Sequence, residues 1–106
     1  MILQIHPKAE NEVRSAARWY EKQRAGLGLE FLATVDAGMA RIESDPRWFP
    51  RLETWHGDGD VRRLVLPRFP YVIVFELANE VINVWSVGHS RRKPGYWKSR
   101  RRRGHA

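Results

Sequence analysis

Residues 61–87, VRRLVLPRFPYVIVFELANEVINVWSV, decide the fold. Three β-prone runs, Val61 to Leu66, Tyr71 to Leu77 and Val81 to Val87, are rich in Val, Ile and aromatic residues. Between the last two, Ala78 and Asn79 fit a two-residue turn, in which Asn tolerates the positive φ that hairpins favour. A turn centred there sets Phe75 opposite Ile82, Ile73 opposite Val84 and Val72 opposite Trp85. One sheet face then carries Tyr71, Ile73, Phe75, Ile82 and Val84, and the other Val72, Val74, Val81, Trp85 and Val87. Both faces are apolar, whereas an antiparallel sheet with one solvated face alternates with polar residues. Each face therefore needs a cover. For the second face there are two candidates: the chain's own C-terminal segment, with Tyr96 and Trp97, or a partner protein. The expectation carried forward is an apolar groove that a partner buries, at Val72, Val74 or Trp85 or their opposite-face neighbours.

Upstream of the meander lie the covers for the first face. Ile2, Leu3 and Ile5 form a short β-prone run that ends at His6 and Pro7, and Pro is favoured in a first helical turn. Ala9, Val13, Ala16, Ala17 and Tyr20 then recur at helical spacing, which predicts a helix over about Pro7 to Arg24. Gly26 and Gly28 mark its stop and a tight turn. A second stripe, Leu32, Val35, Met39 and Ile42 with Phe31 beside it, runs until Ser44, Asp45 and Pro46 end it. The segment 47–60 has no usable period and reads as a loop, pinned to the body by Trp48, Phe49 and Trp55. The fold class is α+β: an N-terminal strand, an α-helical hairpin, then a three-stranded antiparallel meander with the helices on one face.

The chain of 106 residues is one domain's worth of sequence, too short for two independent cores. It contains no cysteine, which excludes disulfides, thiolate metal sites and cysteine nucleophiles. No apolar run approaches the roughly 20 residues that span a bilayer, and MILQIHPKAE lacks the pattern of a secretory signal, so a cytoplasmic location is expected and no membrane partner. The net charge of +7 is unevenly placed: residues 1–90 hold eleven Lys or Arg and twelve Asp or Glu, whereas residues 91–106 hold eight basic residues and no acidic one. The expected organisation is a domain over residues 1–97 and a basic tail over residues 98–106. The run Arg100 to Arg103 reads equally as a polyanion-binding segment or a solvated tail.

His6, His56, His89 and His105 are scattered, with no pair at zinc-ligand spacing, and no metal or other cofactor is expected. HGDGD at residues 56–60 lacks the later carboxylate of a calcium loop and reads as a polar turn. Neither a nucleophile elbow nor a phosphate-binding glycine loop is present. Arg, His and Tyr instead concentrate around the meander. Arg62 and Arg63 lie on its first strand, Arg68 in the loop after it, and His89, Arg91, Arg92 and Tyr96 beyond the last strand. Metal-free RNA cleavage through the 2′-hydroxyl needs a base, an acid and cations for the charged phosphorane, and His89, Arg91, Arg92 and Tyr96 are the candidates. The same residue types make a plain anion-binding patch, for which the candidates are Arg62, Arg63, Arg68, Arg91, Arg92 and Tyr96. Arg62 and Arg63 point to opposite faces of a regular strand, so one of them joins any given site.

The element order together with AARWYEKQRAGLGLEF (residues 16–31), DPRWFP (45–50), RRLVLPRFPYVIVFE (62–76) and VWSVGHSRRKPGYW (84–97) resembles the RelE/ParE superfamily of toxins from bacterial type II toxin–antitoxin modules. The likeness covers about residues 2 to 97. It implies a small toxin of the plasmid stabilisation type that inhibits growth until a cognate antitoxin wraps it. RelE-like members cleave mRNA on the ribosome; ParE-like members poison DNA gyrase. RelE carries one Arg on the middle meander strand, another just past the last strand and a Tyr near the C-terminus. Tyr96 matches the Tyr, whereas the Arg positions fall at about Val72 and Ser90, with Arg91 and Arg92 close by. WYEKQRAGLG and RFPY are more similar to the ParE side. The resemblance therefore implies gyrase as the target, with ribosome-dependent mRNA cleavage as the alternative; a non-catalytic nucleic-acid-binding module is a third reading, supported by the basic tail alone.

Overall fold

A computed structural model describes residues 1–103, with side chains through Arg101. His105 and the side chains of Arg102 and Arg103 lie outside the described residues. His6 caps the first helix, its Nδ1 accepting from the Lys8 amide at 3.1 Å, and Pro7 occupies the first turn, where its missing donor costs nothing. The expected helices form as α1 (Pro7–Gln23) and α2 (Leu27–Ser44). Between them Gly26 takes a left-handed conformation, φ 89°, which favours glycine. Glu21 accepts from the amides of Gly26 and Gly28 at 2.9 and 3.0 Å, so the end of one helix satisfies the orphan donors of the next. A 3-10 turn, Pro46–Trp48, follows α2.

The strands are β1 (Ile2–Ile5), β2 (Asp60–Val65), β3 (Tyr71–Ala78) and β4 (Val81–His89), in the sheet order β1-β4-β3-β2. β2, β3 and β4 form the expected antiparallel meander, while β1 adds to β4 in parallel. The helices cover one face. There Phe31, Ile42, Ile73, Phe75, Ile82, Val84 and Val87 are fully buried. Tyr20, Phe31 and Phe69 meet at centroid distances of 5.0 to 5.2 Å.

The hairpin register differs from the expected one. The turn residues are Asn79 and Glu80, both at positive φ, and Ala78 pairs with Val81, so Phe75 faces Val84 and Leu77 faces Ile82. A bulge at Trp85 then shifts the pairing: Val74 faces Ser86, Ile73 faces Val87 and Val72 faces Gly88. One extra residue reverses the alternation beyond it, which moves Val87 onto the helix face while Trp85 stays on the other.

The second face is not open. Val61, Val74, Trp85 and Trp97 form a separate buried cluster, with Leu52, Trp55, Val72 and Tyr96 at its margin. Val74 and Trp85, expected to meet a partner, are each only 6% exposed. The loop of residues 47–60 and the C-terminal segment supply the cover that the sheet requires, because apolar area on this side has no other screen from water. Nor does the structure break at residue 97. Helix α3 (Lys98–Arg103) continues directly from it, and Arg100 and Arg101 are anchored to the body.

Candidate functional site

Two carboxylates hold the C-terminal segment in place. Glu12, on α1, accepts at Oε1 from the Val87 amide (2.9 Å) and Arg100 Nη1 (3.1 Å), and at Oε2 from the Tyr96 hydroxyl (2.9 Å) and Arg100 Nη2 (2.9 Å). Arg100 also donates to the Trp85 carbonyl at 2.8 Å, at the bulge. Glu76, buried on β3, accepts from the Trp85 indole at 2.9 Å and from Arg101 Nε and Nη2, both at 2.7 Å. Arg101 lies 4.8 Å from the centroid of Trp55, and its pKa is raised above the ordinary guanidinium value, first by the hydrogen bond to Glu76. Bidentate arginine–carboxylate pairs of this kind fix orientation as well as position. The sheet end and the chain that follows it are thus one rigid unit.

A small cleft of about 190 Å³ opens on this unit between the β3–β4 sheet and the segment after β4, lined among others by Arg63, Val72, His89, Arg92, Lys93 and Tyr96. Arg92 packs over the Tyr96 ring at 3.8 Å from its centroid. His89 stands edge-on to Tyr71, and its Nδ1 accepts from the Arg91 amide at 3.1 Å. Gly88 permits this arrangement, since a Cβ there would lie 2.2 Å from the Tyr96 hydroxyl oxygen.

The expected cationic set divides. Arg63, on the face opposite Arg62, reaches the cleft rim, where it pairs with Glu53 at 2.7 and 3.1 Å. That pairing holds the Glu53 carboxyl down at about 2, chiefly through the Arg63 hydrogen bond. Arg62 is turned inward instead. It binds Asp60 and the carbonyls of Arg47 and Phe49, and so fastens the long loop to β2. Arg68 lies away from the cleft and pairs with Glu30 at 2.7 Å. Arg91, Arg92 and Lys93 form no ion pair among the described residues. All three are exposed, so their charge is left uncompensated by any carboxylate of the body.

Burial, then the nearby Glu12 carboxylate and the hydrogen bond to it, push the pKa of Tyr96 up to about 12. At neutral pH the hydroxyl stays protonated and its hydrogen is held by Glu12. Among the described residues, no group of three or more His, Cys, Asp or Glu side chains is placed to hold a metal ion, and no helix is long and apolar enough to cross a membrane.

The residues that assemble this site were only partly visible in the sequence. Glu76 gave a signal: it is the one charge in an otherwise apolar strand, YVIVFELA. Glu12 gave none, since it looks like its solvent-facing neighbour Glu10.

The chain thus forms a single four-stranded sheet with a helical hairpin on one side and a stretch of exposed basic residues beyond the end of its last strand. The chain belongs to the ParE toxin family of type II toxin–antitoxin systems, whose model, described as "ParE toxin of type II toxin-antitoxin system, parDE", matches residues 3–94. A solved structure described as the chromosomal ParDE TA system from P. aeruginosa matches with a TM-score of 0.72, covering 84% of this chain and 95% of that chain. At 17% identity that likeness concerns the fold. No curated protein matches.

Proposed function

We propose that this toxin acts in the cytoplasm by binding and inhibiting DNA gyrase, as ParE-like toxins do, and that a cognate antitoxin neutralises it. The observation that carries the choice of a binding rather than a cleaving mechanism is the state of Tyr96, whose hydroxyl is committed to Glu12 and whose pKa is pushed up to about 12. A general base or acid is most effective with a pKa near the working pH. Arg91, Arg92 and Lys93, without carboxylate partners among the described residues, supply the target contacts. Residues at the β3 and β4 ends, Val72 and His89, shape the cleft beside them. One observation favours the second reading, ribosome-dependent mRNA cleavage: His89, Arg92 and Tyr96 line one cleft.

Inducible expression with two readouts separates these. A gyrase toxin blocks supercoiling in vitro by the purified enzyme and leaves primer extension on cellular mRNA unchanged. Codon-phased cuts that disappear in Tyr96→Phe or His89→Gln, with supercoiling intact, would establish the ribonuclease and refute the gyrase reading.

A further inference from the structure

Trp97 closes the sheet face on which a partner was expected, so the apolar surface a partner needs lies elsewhere. A larger groove, about 760 Å³, runs on the other side of β4, between α1 and the ends of β3 and β4. Trp19, Tyr20, Tyr71, Val87, His89 and Arg92 are among its lining. Trp19 is 57% exposed, with its indole set edge-on against Tyr20 at 5.2 Å, and a large aromatic left to water beside a groove marks an interaction surface. The volume lies within the range of sites that enclose side chains or small ligands.

The charges in the groove select the occupant. Glu12 reaches it, but both of its oxygens already accept from Val87, Tyr96 and Arg100. Arg92 remains, with Arg91 and Lys93 next to it in the chain and no carboxylate partner among the described residues. An apolar floor with a cationic rim fits a bulky apolar side chain flanked by carboxylates. Single-stranded nucleic acid would need exposed ring faces on which bases stack. Here Tyr71 meets His89 at 71° and Tyr20 at 65°, which leaves Trp19 as the one exposed ring of the lining, too few for successive bases to stack.

We infer that an acidic segment of the antitoxin inserts a bulky apolar side chain into this groove beside Trp19 and places its carboxylates on Arg92. The inference rests on the toxin–antitoxin reading above. It also supplies a mode of neutralisation. Arg92 lines both the groove and the 190 Å³ cleft, so a carboxylate that takes it from the groove side withdraws it from the target. The cleft itself need not be covered.

The test uses the full chain and, as probe, the purified protein encoded in the adjacent reading frame. Trp19→Ala should weaken the complex about 30-fold, the size of a central anchor's contribution, and Arg92→Ala about 10-fold with a shallower salt dependence. Trp48→Ala, at an exposed indole near the end of α2, should change affinity less than 2-fold. Thermal melts confirm that both tryptophan variants fold. With 5-fluorotryptophan, the Trp19 resonance should move on binding and the Trp48 resonance should not. If the wild-type chain fails to bind the probe, the toxin–antitoxin reading fails. If the wild type binds and Trp19→Ala binds within 2-fold of it, the groove assignment is overturned while that reading stands. Movement of the Trp19 resonance with a decauridylate, and not with the probe protein, would reassign the groove to nucleic acid.

Discussion

The attachment of the C-terminal segment through Glu12 is open to a quantitative test. Glu12 and Arg100 side chains are 16% and 9% exposed, and they share two hydrogen bonds at 2.9 and 3.1 Å. Removing one partner of a buried pair costs about 3–5 kcal/mol, because the remaining charge is left without compensation. The residual exposure of Glu12 admits water, which sets Glu12→Ala near the lower limit, about 3 kcal/mol. A domain of this size loses roughly 4–8 °C in Tm per kcal/mol, so the melting temperature should fall on the order of 15 °C. Arg100→Ala should cost a similar amount, since it also strips a donor from the Trp85 carbonyl. Because the two changes break one link, the double variant should be more stable than the sum of the singles by about 2 kcal/mol. Urea titration followed by circular dichroism measures all four proteins. Single effects below about 1 kcal/mol, or additivity within about 0.5 kcal/mol, would show that this clasp does not hold the segment to the body.

Three further outcomes are expected. Arg91→Ala with Arg92→Ala should abolish toxicity on induction while shifting Tm by only a few degrees, since Arg91 touches little and Arg92 offers one exposed cation–π contact worth about 0.5–1 kcal/mol; full toxicity would remove these residues from the target surface. The Tyr96 phenol, raised by burial and by Glu12, should ionise near pH 12 in a spectrophotometric titration, and Tyr96→Phe should delete that step. A folded pKa above the unfolded value of about 10 favours the protonated form, so this contribution to stability is fully present below pH 10 and is lost as pH rises toward 12. Gly88→Ala should drive a Cβ against the Tyr96 hydroxyl, release it from Glu12 and cost about 1–3 kcal/mol, with the Tyr96 ionisation moving back toward pH 10.

Local patterns carried most of the fold. The stripes of α1 and α2, the glycines between them and the β-branched runs of β2, β3 and β4 are features of short windows, because side-chain periodicity follows backbone period within a few residues. The turn was displaced by one residue, since nothing local announces that Glu80 adopts a positive φ beside Asn79. The bulge at Trp85 is equally silent. It arises where Trp85 packs on the second face while Val84 and Val87 both enter the core, and its carbonyl finds Arg100 from fifteen residues away.

Sequence alone determined the α+β class, the helical hairpin, the meander and the cationic cluster after β4. It also showed that both sheet faces demand a cover, which is a statement about apolar area. Which cover is used depended on contacts that no window contains. Glu12 lies 88 residues from Arg100, and Glu76 lies 25 from Arg101. Until those arginines arrive, each carboxylate is an ordinary charge and the basic run an ordinary solvated segment. Tertiary structure pairs them, because charges partly withdrawn from water must be matched. That pairing turns Arg100 and Arg101 into a clasp and buries Val74 and Trp85 beneath Trp97, while Arg91, Arg92 and Lys93, just before it in the chain, stay exposed without a carboxylate partner among the described residues.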